Sequence, residues 1–404
     1  MNLDTISAQI IDPANRADPY PLFAALRESP VTRQDDGTYL VSTYYEVRSL
    51  AKSPLLSNDQ RNRDSDAGGS AATDEDPNLP LSFLHLDPPE HDRMRNLAMR
   101  PFGPPHSPSF IYDMREDLAR VVAELLDAFE GRNEVDIVDD FAYPLPVTAI
   151  CKVLGVPRED EARFHGWADT IASGLDPSVG LEQIREARQE LGAYLSDLIE
   201  TERRHPGNGI LGPLARESGP GGSMSHPEVV ATAILLLIAG HETTVNLISN
   251  ATLTLLRHPD VLKRFRDEPA LAVPLVEEVL RYEPPVQFVP FTTALADIDI
   301  AGTTIPKGAP VWLMLASANR DPRRFKDPDC FDPDRKDNQH LGFFIGIHYC
   351  FGAPLARLEA QIALTQLFRR IKNPRLLADP PPYRVNPVLR GPRHLPVAID
   401  GLTS

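Results

Sequence analysis

A single long apolar helix, read between Ser225 and Arg257, constrains the fold more than any other feature of this chain. Ser225-His-Pro-Glu228 is a Ser-x-x-Glu capping box with proline in the first turn, which marks a helix start. Nothing breaks the pattern before Pro259, so the spacing predicts a helix of roughly 48 Å. Through its middle that helix is apolar nearly all round, and such a helix belongs at the centre of a molecule. The remaining elements must wrap around one rod. The apolar run itself, Val229 to Gly240, is 12 residues long, too short to span a bilayer.

Helical periodicity also marks Glu90–Met99, Tyr112–Glu130, Pro146–Leu154, Leu181–Arg204, Pro259–Arg266, Leu271–Tyr282 and Pro354–Arg370. Near the N-terminus, Pro21–Glu28 reads as a helical turn or two and Gly37–Tyr44 as a short strand. Residues 296–315 alternate with turn signals (Ala301-Gly302, Pro306-Lys307-Gly308), which predicts a small antiparallel sheet. Two stretches, 59–80 and 205–222, are polar or rich in Gly and Pro and read as mobile loops. With no repeat and no convincing linker, the expectation is a single domain over 1–404. It is mainly α with small antiparallel sheets, richer in β over about 1–60 and helical over about 80–404.

The net charge of −16 counts against nucleic acid and anionic membrane as partners. The N-terminus carries neither a basic nor an apolar leader segment, and the three cysteines show no paired spacing. A cytoplasmic protein in a reducing compartment is expected.

One of those cysteines, Cys350, lies in Leu341-Gly-Phe-Phe-Ile-Gly-Ile-His-Tyr-Cys350-Phe-Gly352, a Gly-punctuated loop opening into a helix. The helix dipole and unpaired N–H groups should hold such a cysteine as thiolate, and a buried thiolate suits a single-ligand haem iron. A packed structural cysteine is the bland alternative. Within the central helix, Ala239-Gly240-His241-Glu242-Thr243-Thr244 places a carboxylate and hydroxyls beside a glycine. This predicts a local opening of the helix that holds water and a small ligand. A zinc-protease start is excluded, because position 245 is valine rather than histidine. Glu278-Val-Leu-Arg281 is an i, i+3 charge pair, with Arg335 a possible third member. His91 and Arg95 share one helical face and together fit a dianion.

Taken together these runs resemble the cytochrome P450 monooxygenases of the soluble bacterial type, over essentially the whole chain and with the four motifs in order. The resemblance implies the P450 fold, with haem b between the central helix and the Cys-bearing helix. It implies that Cys350 is the axial iron ligand, that Phe343, Gly346 and Gly352 shape its loop, and that Ala239 and Gly240 face the cofactor. His91, Arg95 and His348 would bind the propionates, Glu242 and Thr243 would serve O2 activation, and Glu278, Arg281 and Arg335 would form a structural ion-pair cluster. Leu235, Ile238, Ala239, Phe288, Val289, Val388 and Leu389 would line the substrate pocket, with the two mobile loops flanking its entrance.

Two positions depart from the family pattern. Phe344-Ile345 stands where a glycine and a small or polar residue are usual, which should crowd the thiolate side. Thr292 stands where an arginine commonly reaches a propionate, so weaker haem retention is expected. The resemblance further implies hydroxylation or epoxidation of a lipophilic molecule by a monomeric, cytoplasmic enzyme of actinomycete secondary metabolism, such as one acting on a polyketide or macrolide. Electrons would come from a ferredoxin and its reductase, docking where Arg357 and helix Glu90–Met99 offer basic groups. Oxidative coupling, desaturation or peroxide-driven oxidation are alternatives on the same fold. A non-enzymatic haem sensor has no use for the Glu242-Thr243 pair.

Overall fold

In the computed structural model the chain is described over residues 5–62, 80–103, 106–172, 181–205, 207, 209–216, 218–219 and 222–403. The central helix runs unbroken from His226 to Arg257. Its start is capped as the sequence predicts, with the Ser225 backbone N–H donating to Glu228 Oε2 at 2.7 Å. Glu228 also pairs with Arg93, which ties the helix start to Glu90–Phe102. Among the described residues this helix alone is long and apolar enough to cross a membrane, yet most of that apolar window is buried inside the protein. Helices Pro144–Leu154, Leu181–Arg204 and Ala353–Arg370 pack around it. Their apolar stripes meet in one large core cluster that includes Leu237, Ile248, Leu255, Leu145, Leu191 and Leu364.

The periodic segments form helices close to their expected bounds, with several differences, including short helices Ile6–Ile11, Tyr44–Leu50 and Leu315–Ala318 that were not expected. Tyr112–Glu130 divides at Met114 into Phe110–Asp113 and Arg115–Asp127. Helix Glu161–Ala172 had no counterpart in the sequence reading. Within the expected loop 205–222, Leu211–Arg216 is helical, burying Leu211 and Leu214 against the core. A six-residue helix carries too few turns to show periodicity. Residues 63–79 of the first loop, and 206, 208, 217, 220 and 221 of the second, lie outside the described residues, and with them most of the expected pocket entrance.

The main sheet joins both ends of the chain. Its strand order is Val31–Arg33, Tyr39–Val41, Pro310–Leu313, Val289–Ala294, Leu56–Ser57. Three pairings are antiparallel, but Pro310–Leu313 runs parallel to Tyr39–Val41. The expectation of purely antiparallel sheets is corrected here: local turn signals report hairpins, whereas a parallel pair needs a long crossover invisible to them. The hairpin Ile298–Ile300/Thr303–Ile305 does match its turn signal. Ala301 and Gly302 both take positive φ, 49° and 79°, as a tight two-residue turn requires.

A second buried ionic group binds the N-terminal segment to the C-terminal one. Glu283 accepts from Tyr20 Oη at 3.0 Å and pairs with Arg390 and Arg320. Arg390 in turn donates to the Arg16 and Ala17 carbonyls.

Candidate functional site

The Cys350 loop is held from several sides before the helix Ala353–Arg370 begins. Leu341 N–H donates to Asn319 Oδ1 at 2.7 Å, and Gly342 lies so close to the Leu280 carbonyl that a Cβ would stand 2.5 Å from it. Gly346 has φ +78°, and a Cβ there would meet Ala51 O at 2.5 Å, so glycine is required twice over. The Cys350 N–H returns to the Phe343 carbonyl at 2.9 Å, closing the loop around the sulfur. Gly352 caps the helix, and a Cβ added to it would meet nothing within 4 Å.

Electrostatics at the thiol differ from the expectation. Burial raises the Cys350 pKa above the usual thiol value, and this outweighs the lowering by the Gly352 and Ala353 N–H groups, Arg95 and Arg357. The helix start alone therefore does not hold a thiolate. A coordinating metal cation deprotonates a thiol outright, and the surrounding N–H donors and arginines then favour the anion.

Phe344 and Ile345 do not crowd the sulfur. They pack on the sheet cluster with Tyr39, Val289 and Leu341, while Cys350 sits against the helical core. Phe344 achieves this with φ +58°, a left-handed conformation that a bulky residue adopts at a cost of about 1–2 kcal/mol.

His91, His348 and Arg95 lie together beside the Cys350 loop. His91 and His348 stand with ring centroids 4.6 Å apart. His91 Nδ1 bonds Asp92 Oδ1 at 2.7 Å, whereas His91 Nε2 and His348 Nδ1 are buried without a hydrogen-bond partner. Burial, and then the neighbouring His91, Arg95 and His85, push the His348 pKa down to about 3. Arg95 bonds the Tyr349 carbonyl and lies over the Phe83 and Phe351 rings at 5.9 and 5.8 Å. Arg357, expected as one of the basic groups for a ferredoxin, is paired with Glu277. It donates to Glu277 at 2.6 and 2.8 Å and to Tyr349 Oη. Against the effect of burial, the hydrogen bonds from Arg357 and His340 bring Glu277 down to about 2.

On the opposite side, the central helix changes character over one stretch. Leu235, Ile238, Gly240 and Thr243 are only half-buried and Ala239 is exposed, although the helix is buried before and after them. Residues three and four apart share a helix face, so these five form one solvent-accessible stripe. The helix does not open here as expected. Its α-conformation persists, and the Thr243 hydroxyl donates to the Ala239 carbonyl at 2.7 Å. That back-bond accommodates the threonine without breaking the helix. Glu242 is buried beside it, and His241 packs edge-on against Tyr143 with centroids 4.6 Å apart.

Among the remaining pocket residues, Phe288 is buried and stacked on Trp312 at 4.8 Å, within the N-terminal cluster that Val388 also joins. Both pack in that cluster, whereas Leu235 and Ile238 pack against the helical core. Val289 belongs to the sheet cluster and Leu389 bridges Val286. Adjacent residues on an extended chain point to opposite faces, so Phe288 and Val289 cannot both line one pocket.

The ion-pair cluster comes together around a fully buried central pair, with Arg335 at its edge. Arg281 and Glu278, both without solvent exposure, form a fork of 2.7 and 2.8 Å, and Arg335 approaches Glu278 at 3.3 Å. Arg281 also donates to the carbonyls of Asn319, Pro328 and Cys330, fastening the Cys350 loop's approach to helix Ala272–Tyr282.

Sequence reasoning missed Glu359. It is buried on the Cys-bearing helix with Oε2 unpartnered, and burial pushes its pKa up to about 8. Its signal was present, since Glu359 falls on the apolar stripe Leu355–Leu358–Ile362.

These groups fit a haem. A lone thiol is available for iron, two orphaned imidazole nitrogens and Arg95 are available for carboxylates, and small residues line the facing helix.

Comparisons with known proteins agree. Residues 181–373 match the family described as Cytochrome P450. The chain is 39% identical over 391 residues to the cytochrome P450 monooxygenase PikC of Streptomyces venezuelae, covering 94% of this chain and 91% of that one. It is 36% identical to the 6-deoxyerythronolide B hydroxylase of Saccharopolyspora erythraea, covering 95% and 96%. The solved structure of cytochrome P450 CYP109Q5 from Chondromyces apiculatus superposes with a TM-score of 0.88 at 32% identity, covering 98% of each chain. The chain belongs to the cytochrome P450 family, oxidoreductases that use haem and O2 for monooxygenation.

Proposed function

We propose that this protein hydroxylates or epoxidises a lipophilic small molecule of secondary metabolism, a polyketide or macrolide, in the cytoplasm with electrons from a ferredoxin. The observation that carries this reading is the accessible stripe Leu235–Ile238–Ala239 running into Glu242 and Thr243. It sets an apolar wall directly beside an acid and an alcohol. Such a wall suits an apolar substrate. The hydroxylase acting on 6-deoxyerythronolide B, 36% identical, supports the macrolide class.

When bound, thiolate-ligated haem supplies O2 activation for attack on C–H bonds. The chain's own residues do the rest. Cys350 supplies the ligand, His91, Arg95 and His348 hold the propionates, and the Thr243 hydroxyl and Glu242 carboxyl hold and pass protons at the cleft. Leu235, Ile238 and Ala239 orient the substrate and exclude water. Only a carbonyl spectrum characteristic of thiolate ligation is compatible with Cys350 as the ligand. A panel of macrolides and smaller lipophiles tests the substrate class: the low- to high-spin Soret shift should appear with the former, followed by turnover with a surrogate ferredoxin system. Binding confined to small polar compounds would sink the assignment.

A further inference from the structure

Three imidazole nitrogens on this side of the protein are buried and lack any hydrogen-bond partner: His91 Nε2, His348 Nδ1 and His85 Nδ1. The first two belong to the site already described. The third does not. His85 lies in the turn Phe83–His85, just before the helix Glu90–Phe102 that carries His91 and Arg95. Its ring stands edge-on to Phe291 with centroids 5.0 Å apart, which puts it against strand Val289–Ala294. In the same turn, Phe83 packs on Phe351 with centroids 5.6 Å apart and lies under Arg95 at 5.9 Å, so the turn borders the Cys350 loop.

The nearby groups do not satisfy His85. Asp59 is within electrostatic reach, but its carboxylate is taken by Arg61 at 2.9 and 3.0 Å and by the Arg61 N–H. Arg188 lies on the same side and, being cationic, cannot accept a proton. The strand offers no donor of its own at this point, because the Thr292 hydroxyl is fully buried and donates to the Val311 carbonyl at 2.6 Å. A buried orphaned imidazole nitrogen costs roughly 1–3 kcal/mol. The three are carried by segments that each border Arg95, namely the Phe83–His85 turn, the helix of Arg95 itself and the loop at Tyr349, and they describe a receptor for an anion with several acceptor oxygens.

We infer that His85 donates its Nδ1–H to a haem propionate, as a third imidazole beside His91 and His348, and takes the place that Thr292 leaves without a cation. This rests on the haem-binding reading above and names one further positioning residue within it. Burial, and Arg188 less strongly, push the His85 pKa down to about 4, against the pull of Asp59. The ring therefore stays neutral at pH 7 until a carboxylate is docked, and it donates as a neutral N–H or, once paired, as a cation.

The test is haem transfer from the purified holoprotein to excess apomyoglobin, comparing wild type, His85→Leu, His85→Gln, and His85→Leu combined with Thr292→Arg. Leucine fills the space beside Phe291 but cannot donate, and should release haem roughly tenfold faster, the loss of one charge-assisted bond at about 1.4 kcal/mol per decade. Glutamine keeps an N–H donor and should recover part of the difference, and the arginine should recover most of it. The same proteins loaded with the dimethyl ester of mesohaem, whose carboxylates are blocked, should release it at equal rates. Equal release of haem itself by wild type and His85→Leu overturns the inference while leaving haem binding intact. A His85→Leu difference that persists with the diester also overturns it, since the ring would then be only a packing element. A wild type that takes up no haem overturns the site reading and this inference together.

Discussion

Replacing Glu359 with glutamine should stabilise the protein by an amount that grows with pH. The carboxyl is buried on the Cys-bearing helix, and burial raises its pKa from 4.5 to about 8. A folded-state pKa above the unfolded one means that the acid form is favoured by folding. The carboxyl's contribution is therefore fully present below pH 4.5 and is lost as pH rises toward 8. Each pH step in that window costs about 1.4 kcal/mol, so wild type has lost roughly 3 kcal/mol by pH 7 and about 4 by pH 8, where the folded carboxyl is half ionised. Glutamine keeps the shape and does not titrate. For a chain of this length, unfolding entropy near 2.1 cal/mol/K per residue converts these losses to about 4 °C and about 5 °C in Tm. At pH 5 the difference should be only about 1 °C by the same conversion. Burying the amide adds an offset independent of pH, so the slope is the quantity to read. Thermal unfolding of both holoproteins from pH 5 to 9, followed by near-UV circular dichroism, measures it. A Tm difference that stays constant across this range would show that Glu359 is already ionised in the folded protein, and the burial argument would fail.

Arg281→Met should cost about 3–5 kcal/mol by leaving the buried Glu278 carboxylate with the longer Arg335 contact as its cationic partner, beside the neutral donors Asp332 N–H and Asn338 Nδ2. Adding Glu278→Gln should return part of that loss in Tm, and strictly additive losses would refute the coupling. Gly346→Ala should fail to bind haem or should unfold at markedly lower temperature, because its Cβ meets Ala51 O at 2.5 Å with φ at +78°. Gly352→Ala, with nothing within 4 Å, should leave Tm nearly unchanged, and the pair can be compared by Soret-detected melting. Thr243→Ala removes the hydroxyl bonded to Ala239 O, and should retain the thiolate carbonyl spectrum while releasing more hydrogen peroxide per NADPH consumed. Full coupling of electrons to product in that variant would remove Thr243 from the proton path.

Much of this protein could be read along the chain. The capping box at Ser225 and the apolar periodicity of the central rod are local patterns, and local hydrogen bonding and sterics enforce them wherever they occur. So is the i, i+3 spacing of Glu278 and Arg281. What periodicity could not show was which face of an element meets which neighbour. The parallel pairing of Tyr39–Val41 with Pro310–Leu313 joins strands far apart in the chain, and no turn signal announces it. The same limit misplaced Phe288 and Val388 and made Arg357 look like a free charge, since Glu277 reaches it only across two packed helices. Charge state was decided at this level too. Cys350 is raised by burial despite its helix start, Glu359 is held protonated, and His85 is left with an unanswered nitrogen. Composition and spacing settle which groups the chain owns. How far each is removed from water, and what faces it there, follows only from tertiary packing, because desolvation depends on every element that closes around a group.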